Sequence, residues 1–273
     1  MPPLNRFDSS RSAGYTKIVH SARRGDLVLG AYIDALSWPE TLDQLVTWGR
    51  AHESRYVAIC NVHVVATASR DTAYRNAING ADMATPDGAP VAWMLRRLGF
   101  PGQPRINGPD LTMELCKRCA VDALPVFFYG STSVTLEALE RRLKTALPNL
   151  IIGGLESPPF RPIAAEEDAD TVARINASGA AIIFVGLGCP KQELWMAEHR
   201  GKINAVMIGV GAAFDFHAGT IKRAPPWMQD TGLEWLHRLL SDPRRLWKRY
   251  LTTNILFSCG ASVQLLSQKF RRR

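Results

Sequence analysis

The sequence predicts an α/β body of Rossmann-like type, an open and mainly parallel sheet with helices on both faces, followed by a C-terminal basic helical appendage. Three observations predict it. Short apolar runs alternate with longer segments of helical period, the βαβ signature. Several of the short runs are apolar on both faces, as strands must be when helices cover both sides of a parallel sheet. And the formal net charge of +8 is confined to the end of the 273-residue chain. Residues 1–221 hold 22 basic and 22 acidic side chains, whereas residues 222–273 hold 11 basic and 3 acidic ones.

The expected strands, in chain order, are Tyr56–Cys60, Asp82–Thr85, Val126–Tyr129, Leu150–Gly153, Ala180–Val185 and Ala205–Val210. Each is short, rich in Val, Ile, Phe or Ala, and bounded by turn formers. The expected helices between them are Thr41–Arg50, Val62–Asn79, Gly88–Leu98, Pro109–Ala120, Thr132–Leu147, Glu166–Ser178 and Lys191–His199. Pro225–Pro226 ends this alternation, and two helical segments follow, near 227–240 and 243–266. Pro243 suits the first helical position behind an Asp242 N-cap. In that last helix Leu246, Trp247, Tyr250 and Leu251 are expected on one side, and Arg244, Arg245, Lys248 and Arg249 on the other. Two readings of this pattern stand: an interfacial membrane helix, or a helix docked on its own body with solvated charges.

The chain therefore divides into a poorly ordered segment (1–25), an α/β body (26–221) and the basic appendage (222–273). A neutral body argues against a nucleic-acid partner, because no basic patch in it matches the tail. At 46% hydrophobic and 21% charged residues the composition excludes disordered and fibrous classes. No apolar run reaches the roughly 18 residues of a membrane span, and Met1–Asp26 lacks the apolar core of a signal peptide. Five scattered cysteines fit a reducing compartment rather than a disulfide framework.

Ligands of such a sheet bind beyond the carboxyl ends of its strands, where helix N-termini offer free N–H groups. The candidate rim residues are Asn61 and His63, then Asp87 and Gly88, then Gly130 and Ser131. Gly186, Gly188, Lys191, Gln192, Glu193 and Asp215 complete the set. The run Val185-Gly-Leu-Gly-Cys-Pro-Lys-Gln-Glu193 has the form of a phosphate-binding turn, although a tight turn is the preferred explanation of its glycines. Lys191 replaces the third glycine of a dinucleotide fingerprint. Asp168-Ala-Asp170 has the spacing of a metal-binding DxD, but an acidic first helical turn accounts for it. Cys116 and Cys119 lie inside a helix with no second pair, so neither zinc nor redox chemistry is expected of them.

Seven blocks, in order, resemble the WecG/TagA/CpsF family of bacterial glycosyltransferases. They are Asn61-Val-His-Val-Val-Ala-Thr67, Ala81-Asp-Met-Ala-Thr-Pro-Asp-Gly88, Arg105-Ile-Asn-Gly-Pro-Asp-Leu111, Ser157-Pro-Pro-Phe160, Val185–Glu193, Gly209-Val-Gly-Ala-Ala-Phe-Asp-Phe-His-Ala-Gly219, and Arg223-Ala-Pro-Pro-Trp-Met with Gly232-Leu-Glu-Trp-Leu-His-Arg-Leu-Leu240. The resemblance implies inverting transfer of a sugar from a UDP-sugar to a polyprenyl-diphosphate-linked sugar, in surface or exopolysaccharide synthesis. It implies no cofactor and no metal. It makes Asp87 the general base and brings Arg105 to the diphosphate. It sets Asn61 and Gln192 in the pocket, Asp215 at the nucleotide, and Arg238, Arg245 and Arg249 as the appendage arginines reaching the site. It further implies a peripheral protein on the cytoplasmic face of the inner membrane. Some members carry a threonine where this chain has Ile59, so no hydroxyl role transfers there.

Two other classes stand beside this reading: a dinucleotide-dependent oxidoreductase, and a non-catalytic basic membrane-binding module. The first needs a glycine fingerprint after the first strand, which Asn61-Val-His does not supply.

Overall fold

The computed structural model describes residues 23–271, apart from the side chains of Asp230, Arg245 and Arg271. A two-stranded antiparallel hairpin opens it, β1 (Gly25–Val28) and β2 (Ala31–Asp34), turned at Leu29-Gly30 with both φ values positive. That is the twist a two-residue hairpin loop requires. Two four-residue strands are too short a pattern for this hairpin to show in the sequence. Of the expected N-terminal segment, residues 1–22 lie outside the described residues. Arg23 and Arg24 already bond to the body, through Asp34 and through the Ala35 carbonyl.

The central sheet has six strands: β3 (Arg55–Cys60), β4 (Met83–Pro86), β5 (Val126–Gly130), β6 (Ile152–Glu156), β7 (Ile182–Gly186) and β8 (Val206–Gly209). All pair in parallel, in the order β4-β3-β8-β7-β5-β6. The chain starts near one edge, crosses to the other, and returns to insert β8 between β7 and β3. This reversal leaves a crevice above the carboxyl ends of β3, β4, β7 and β8, the ligand position of open α/β sheets. Every strand that the alternation predicts is present, and β7 and β8 are buried on both faces except at the Gly186 end of β7.

The helices are α1 (Trp38–Arg50), α2 (Val62–Arg70), α3 (Thr72–Asn79), α4 (Ala89–Leu98), α5 (Gly108–Asp122), α6 (Ser133–Ala146), α7 (Ala165–Ala177), α8 (Lys191–His199), α9 (Ala213–Ala218), α10 (Pro226–Asp230), α11 (Glu234–Ser241) and α12 (Pro243–Arg271). The expected single helix over 62–79 is divided at Asp71, whose carboxylate leaves the first helix to accept the Tyr74 N–H and cap the second. The segment near 227–240 is likewise divided into α10 and α11. Two buried clusters fill the faces of the sheet, one around Tyr74, Tyr129 and Met207, the other around Phe128, Phe184 and Phe214. In the second, Phe128 and Phe184 stack at 5.2 Å and Phe214 meets Phe128 edge-on at 5.6 Å.

The appendage does not stand away from the body. Its long helix α12 lies along α2, burying Leu246, Phe257 and Ala261. Near its end Gln264 accepts the Leu29 N–H at 2.9 Å and donates to the Leu27 carbonyl at 2.5 Å, tying it to the hairpin. This corrects the expected faces of the helix. Leu246 is buried and Tyr250 turns to the body, while Trp247 and Leu251 turn out. Arg249, set among the outward cations by periodicity but at the site by the family resemblance, lies on the inward side and lines the cavity. The outward stripe continues as Trp247, Leu251, Ile255, Val263, Leu266 and Phe270, each more than half exposed. Among the described residues no helix is long and apolar enough to cross a membrane.

Candidate active site

A cavity of about 970 Å³ occupies the crevice. Its floor comes from strand ends and helix N-termini of the body, and its cover from α11 and α12.

Asp87 follows β4 directly. Its N–H donates to the Cys60 carbonyl at 3.0 Å, so the ladder that pairs β4 with β3 also sets the position of this carboxylate. Gly88 then takes φ +83, a left-handed conformation that turns the chain sharply into α4 and keeps Asp87 at the cavity. Burial pushes the Asp87 carboxyl up to about 6. Arg105 opposes that shift, Glu234 adds to it, and the Gly88 N–H and Arg238 oppose it.

Arg105 is brought alongside by the backbone. The Ile106 N–H donates to the Pro86 carbonyl at 2.9 Å, so the residue before Ile106 and the residue after Pro86 stand together. Trp38 Nε1 holds the Arg105 carbonyl at 3.1 Å. The guanidinium donates to Glu234 Oε2 at 3.0 Å. Glu234 also lies 3.7 Å from Arg223, which is paired with Asp110 in the first turn of α5.

Asn61 is the N-cap of α2, its side-chain oxygen accepting the Val64 N–H at 3.1 Å and leaving its amide N–H groups for the cavity it lines. His63 also lines the cavity. Burial, with Arg249 nearby, pulls its pKa down to about 4, so its ring is neutral. Among the described residues its Nδ1 and the Arg249 Nε are buried without hydrogen-bond partners, two polar atoms at the wall that a ligand can satisfy.

The turn after β7 brings Gly186 and Gly188 to the wall. Gln192 closes it: its Oε1 accepts the Gly188 N–H at 3.1 Å and its Nε2 donates to Glu193 at 2.7 Å. Ser131, Asp215, Arg238 and Arg249 line the same space, with Arg238 stacked over Phe216 at 5.3 Å. The side chain of Arg245 lies outside the described residues.

Three expected rim residues stand outside the wall. Lys191 is exposed in the first turn of α8 and points to solvent. Glu193 is fully buried behind Gln192, burial raising its pKa. Gly130, at φ +122, lies against Gly186, and a Cβ there would come within 2.6 Å of the Gly186 carbonyl carbon. It is the close approach of β5 to β7, not a ligand, that needs this glycine.

Asp168 bonds to His199 at 3.0 Å and Asp170 is exposed on α7, both away from the cavity. Cys116 and Cys119 are buried in α5, burial raising both thiols and taking Cys119 to about 12. The cavity residues missing from the sequence reading are mostly in the cover: Glu234, Trp235 and Tyr250, with Trp93 and Phe160 on the body side. Glu234 carried one available signal, an acid in a tail of 11 basic and 3 acidic residues.

A parallel sheet that opens its strand ends onto one cavity walled by a carboxylate, arginines and helix N-termini defines an α/β protein with its ligand position at the switch of strand order. The chain belongs to the glycosyl transferase WecG/TagA/CpsF family, whose model matches residues 27–272. It is therefore a glycosyltransferase of cell-surface polysaccharide synthesis, working between a sugar donor and an acceptor.

Proposed function

We propose that the protein transfers a sugar from a UDP-sugar to a polyprenyl-diphosphate-linked sugar, with inversion, at the cytoplasmic face of the inner membrane. The observation that carries this reading is the meeting of Asp87 and Arg105 on one cavity wall, faced by Arg238 and Arg249 from the basic tail.

In the reaction the acceptor hydroxyl oxygen attacks the anomeric carbon while its proton passes to the Asp87 carboxylate. The bond from that carbon to the β-phosphate oxygen breaks, and UDP departs with the electron pair. A base with a pKa about 6 is mostly ionised at neutral pH yet basic enough to take the proton. Charge growing on the leaving diphosphate is met by the Arg105, Arg238 and Arg249 guanidiniums, whose planar N–H groups match phosphate oxygens. The body-side residues Asn61, Ser131, Gln192 and Asp215 bind the nucleotide and sugar.

The lipid acceptor is supported by the cover. Beyond its polar floor the cavity runs between Val62, Trp93, Phe257, Ala261 and Leu265, an apolar wall. On the outer side of α12, Trp247 and Leu251 stand beside the exposed cations Arg244 and Lys248, the arrangement of a helix lying in a membrane interface.

The test is a panel of UDP-sugars with a short lipid-linked acceptor, with Asp87→Asn alongside. UDP binding is retained in that variant while turnover falls by about 10²–10⁴-fold, the usual worth of a general base. Wild-type turnover drops below pH about 6 as Asp87 takes a proton, and it persists in EDTA. Near-normal turnover by Asp87→Asn would sink the assignment.

A further inference from the structure

We propose that Glu234 is a positioning residue for Arg105, an appendage carboxylate that anchors one edge of the guanidinium so that its remaining N–H groups face the donor diphosphate. This rests on the reading of the cavity as the donor site.

Arg105 and Glu234 lie about 130 residues apart in sequence, and their side chains are only 19% and 18% exposed. One guanidinium nitrogen, Nη1, donates to Glu234 Oε2 at 3.0 Å, and among the described residues the Arg105 side chain has no other hydrogen-bond partner. The other Glu234 oxygen lies 3.7 Å from Arg223 Nε, a buried donor without a hydrogen bond among the described residues. Arg223 is in turn held by both oxygens of Asp110. The result is a chain of alternating charge, Asp110, Arg223, Glu234, Arg105, running from the first turn of α5 through the appendage to the cavity wall.

An acid here would be a liability on electrostatic grounds alone, since it repels the incoming diphosphate. Its benefit lies in order. An unanchored arginine carries rotamer entropy that binding must overcome. A carboxylate fixed on its far side removes much of that cost before the ligand arrives, as partners behind a ligating group do elsewhere.

The opposite role is a stand-in anion that the diphosphate displaces, and the two differ in sign. The full chain is compared as wild type, Glu234→Gln, Glu234→Asp, Arg105→Ala and the Glu234→Gln/Arg105→Ala double variant. UDP binding is measured by calorimetry, donor KM and kcat across pH, and thermal unfolding for each. Glu234→Gln is expected to weaken UDP binding about tenfold, about 1.4 kcal/mol, and to raise donor KM more than it lowers kcat, with Glu234→Asp recovering part. In the Arg105→Ala background the same change is expected to do nothing further, because coupled residues are not additive. The acid limb of the kcat profile moves to lower pH, since Asp87 loses a negative neighbour while Arg105, Arg238 and the Gly88 N–H still face it.

Tighter UDP binding by Glu234→Gln, unchanged binding, or additive losses in the double variant would each overturn the proposal. If Glu234→Gln unfolds, the Glu234→Asp variant and its pH limb decide. If wild type binds no UDP, the donor-site reading falls and takes this inference with it. If wild type binds UDP and Arg105→Ala alone loses it, only the role of Glu234 falls.

Discussion

The body and the appendage meet at one cavity yet are built on opposite principles. The body is neutral in sum, its strands are buried, and its cavity residues hang on the hydrogen-bond ladder itself: Asp87 through Cys60, Arg105 through the Pro86–Ile106 bond. The appendage carries all of the excess charge, half-exposes its helices, and reaches the cavity through long side chains, Glu234, Arg238, Arg249 and Tyr250. A proton-accepting group must be held within about 0.5 Å of its productive position, which a sheet edge can do. Charge neutralisation tolerates looser placement, which a docked helix can supply. The division of labour follows from those tolerances.

The largest effect that would break this comparison is at the body side. Arg105→Ala is expected to lower kcat/KM by about 10²–10³-fold, the range seen when one donor to developing charge is removed. Arg105→Lys should recover only a small part, because an ammonium cannot offer the planar pair of N–H groups. On the appendage, Arg238→Ala and Arg249→Ala are each expected to cost roughly tenfold, with a weaker dependence of donor KM on salt. Steady-state kinetics over a salt series checks both. Equal losses from Arg105 and Arg249 variants would erase the proposed distinction between the precise floor and the tolerant cover.

A smaller effect concerns stability. The folded-state pKa of Asp87, about 6, lies above its ordinary value of 3.8, so the native state binds the proton more tightly than the unfolded chain. Wild type therefore loses stability as pH rises from about 4 to 6, and the loss persists above that window. Asp87→Asn removes it, gaining at most about 3 kcal/mol at pH 8 and nothing below pH 4. Thermal unfolding of the pair across pH reads this directly, and an inactive variant that is less stable at pH 8 would contradict the burial of this carboxylate. The smallest change in fold is expected from Trp247→Glu with Leu251→Glu. Both sites are more than half exposed, so stability should move by about 0.5 kcal/mol or less each. Cosedimentation with anionic vesicles should fall sharply, with UDP binding unchanged. Unaltered cosedimentation would take the membrane away from this face.

Much of the body was legible in the sequence because its signals are local. Apolar runs between helical patterns mark strands β3 to β8, and the Asn61, Asp87 and Gly188 positions follow from strand ends. What escaped is equally physical. Periodicity could not see the break at Asp71, where one side chain exchanges helix continuity for a cap. It could not separate Gly130, needed for strand approach, from Gly186 and Gly188, which border the cavity. Nor does it distinguish Gln192 from its neighbours, since successive residues of a helix start point in different directions and, of Lys191, Gln192 and Glu193, Gln192 turns to the cavity.

The strand–helix alternation, the location of the charge and the family-bearing blocks were determined by the sequence alone, since each rests on residues close together in the chain. Only the tertiary structure decided which face of α12 docks and which stays open, because the inward set is chosen by the surface of α2 and the hairpin rather than by the helix's own pattern. It also decided that Glu234 meets Arg105. An ion pair across about 130 residues depends on where the appendage is anchored, and no local rule of spacing encodes that.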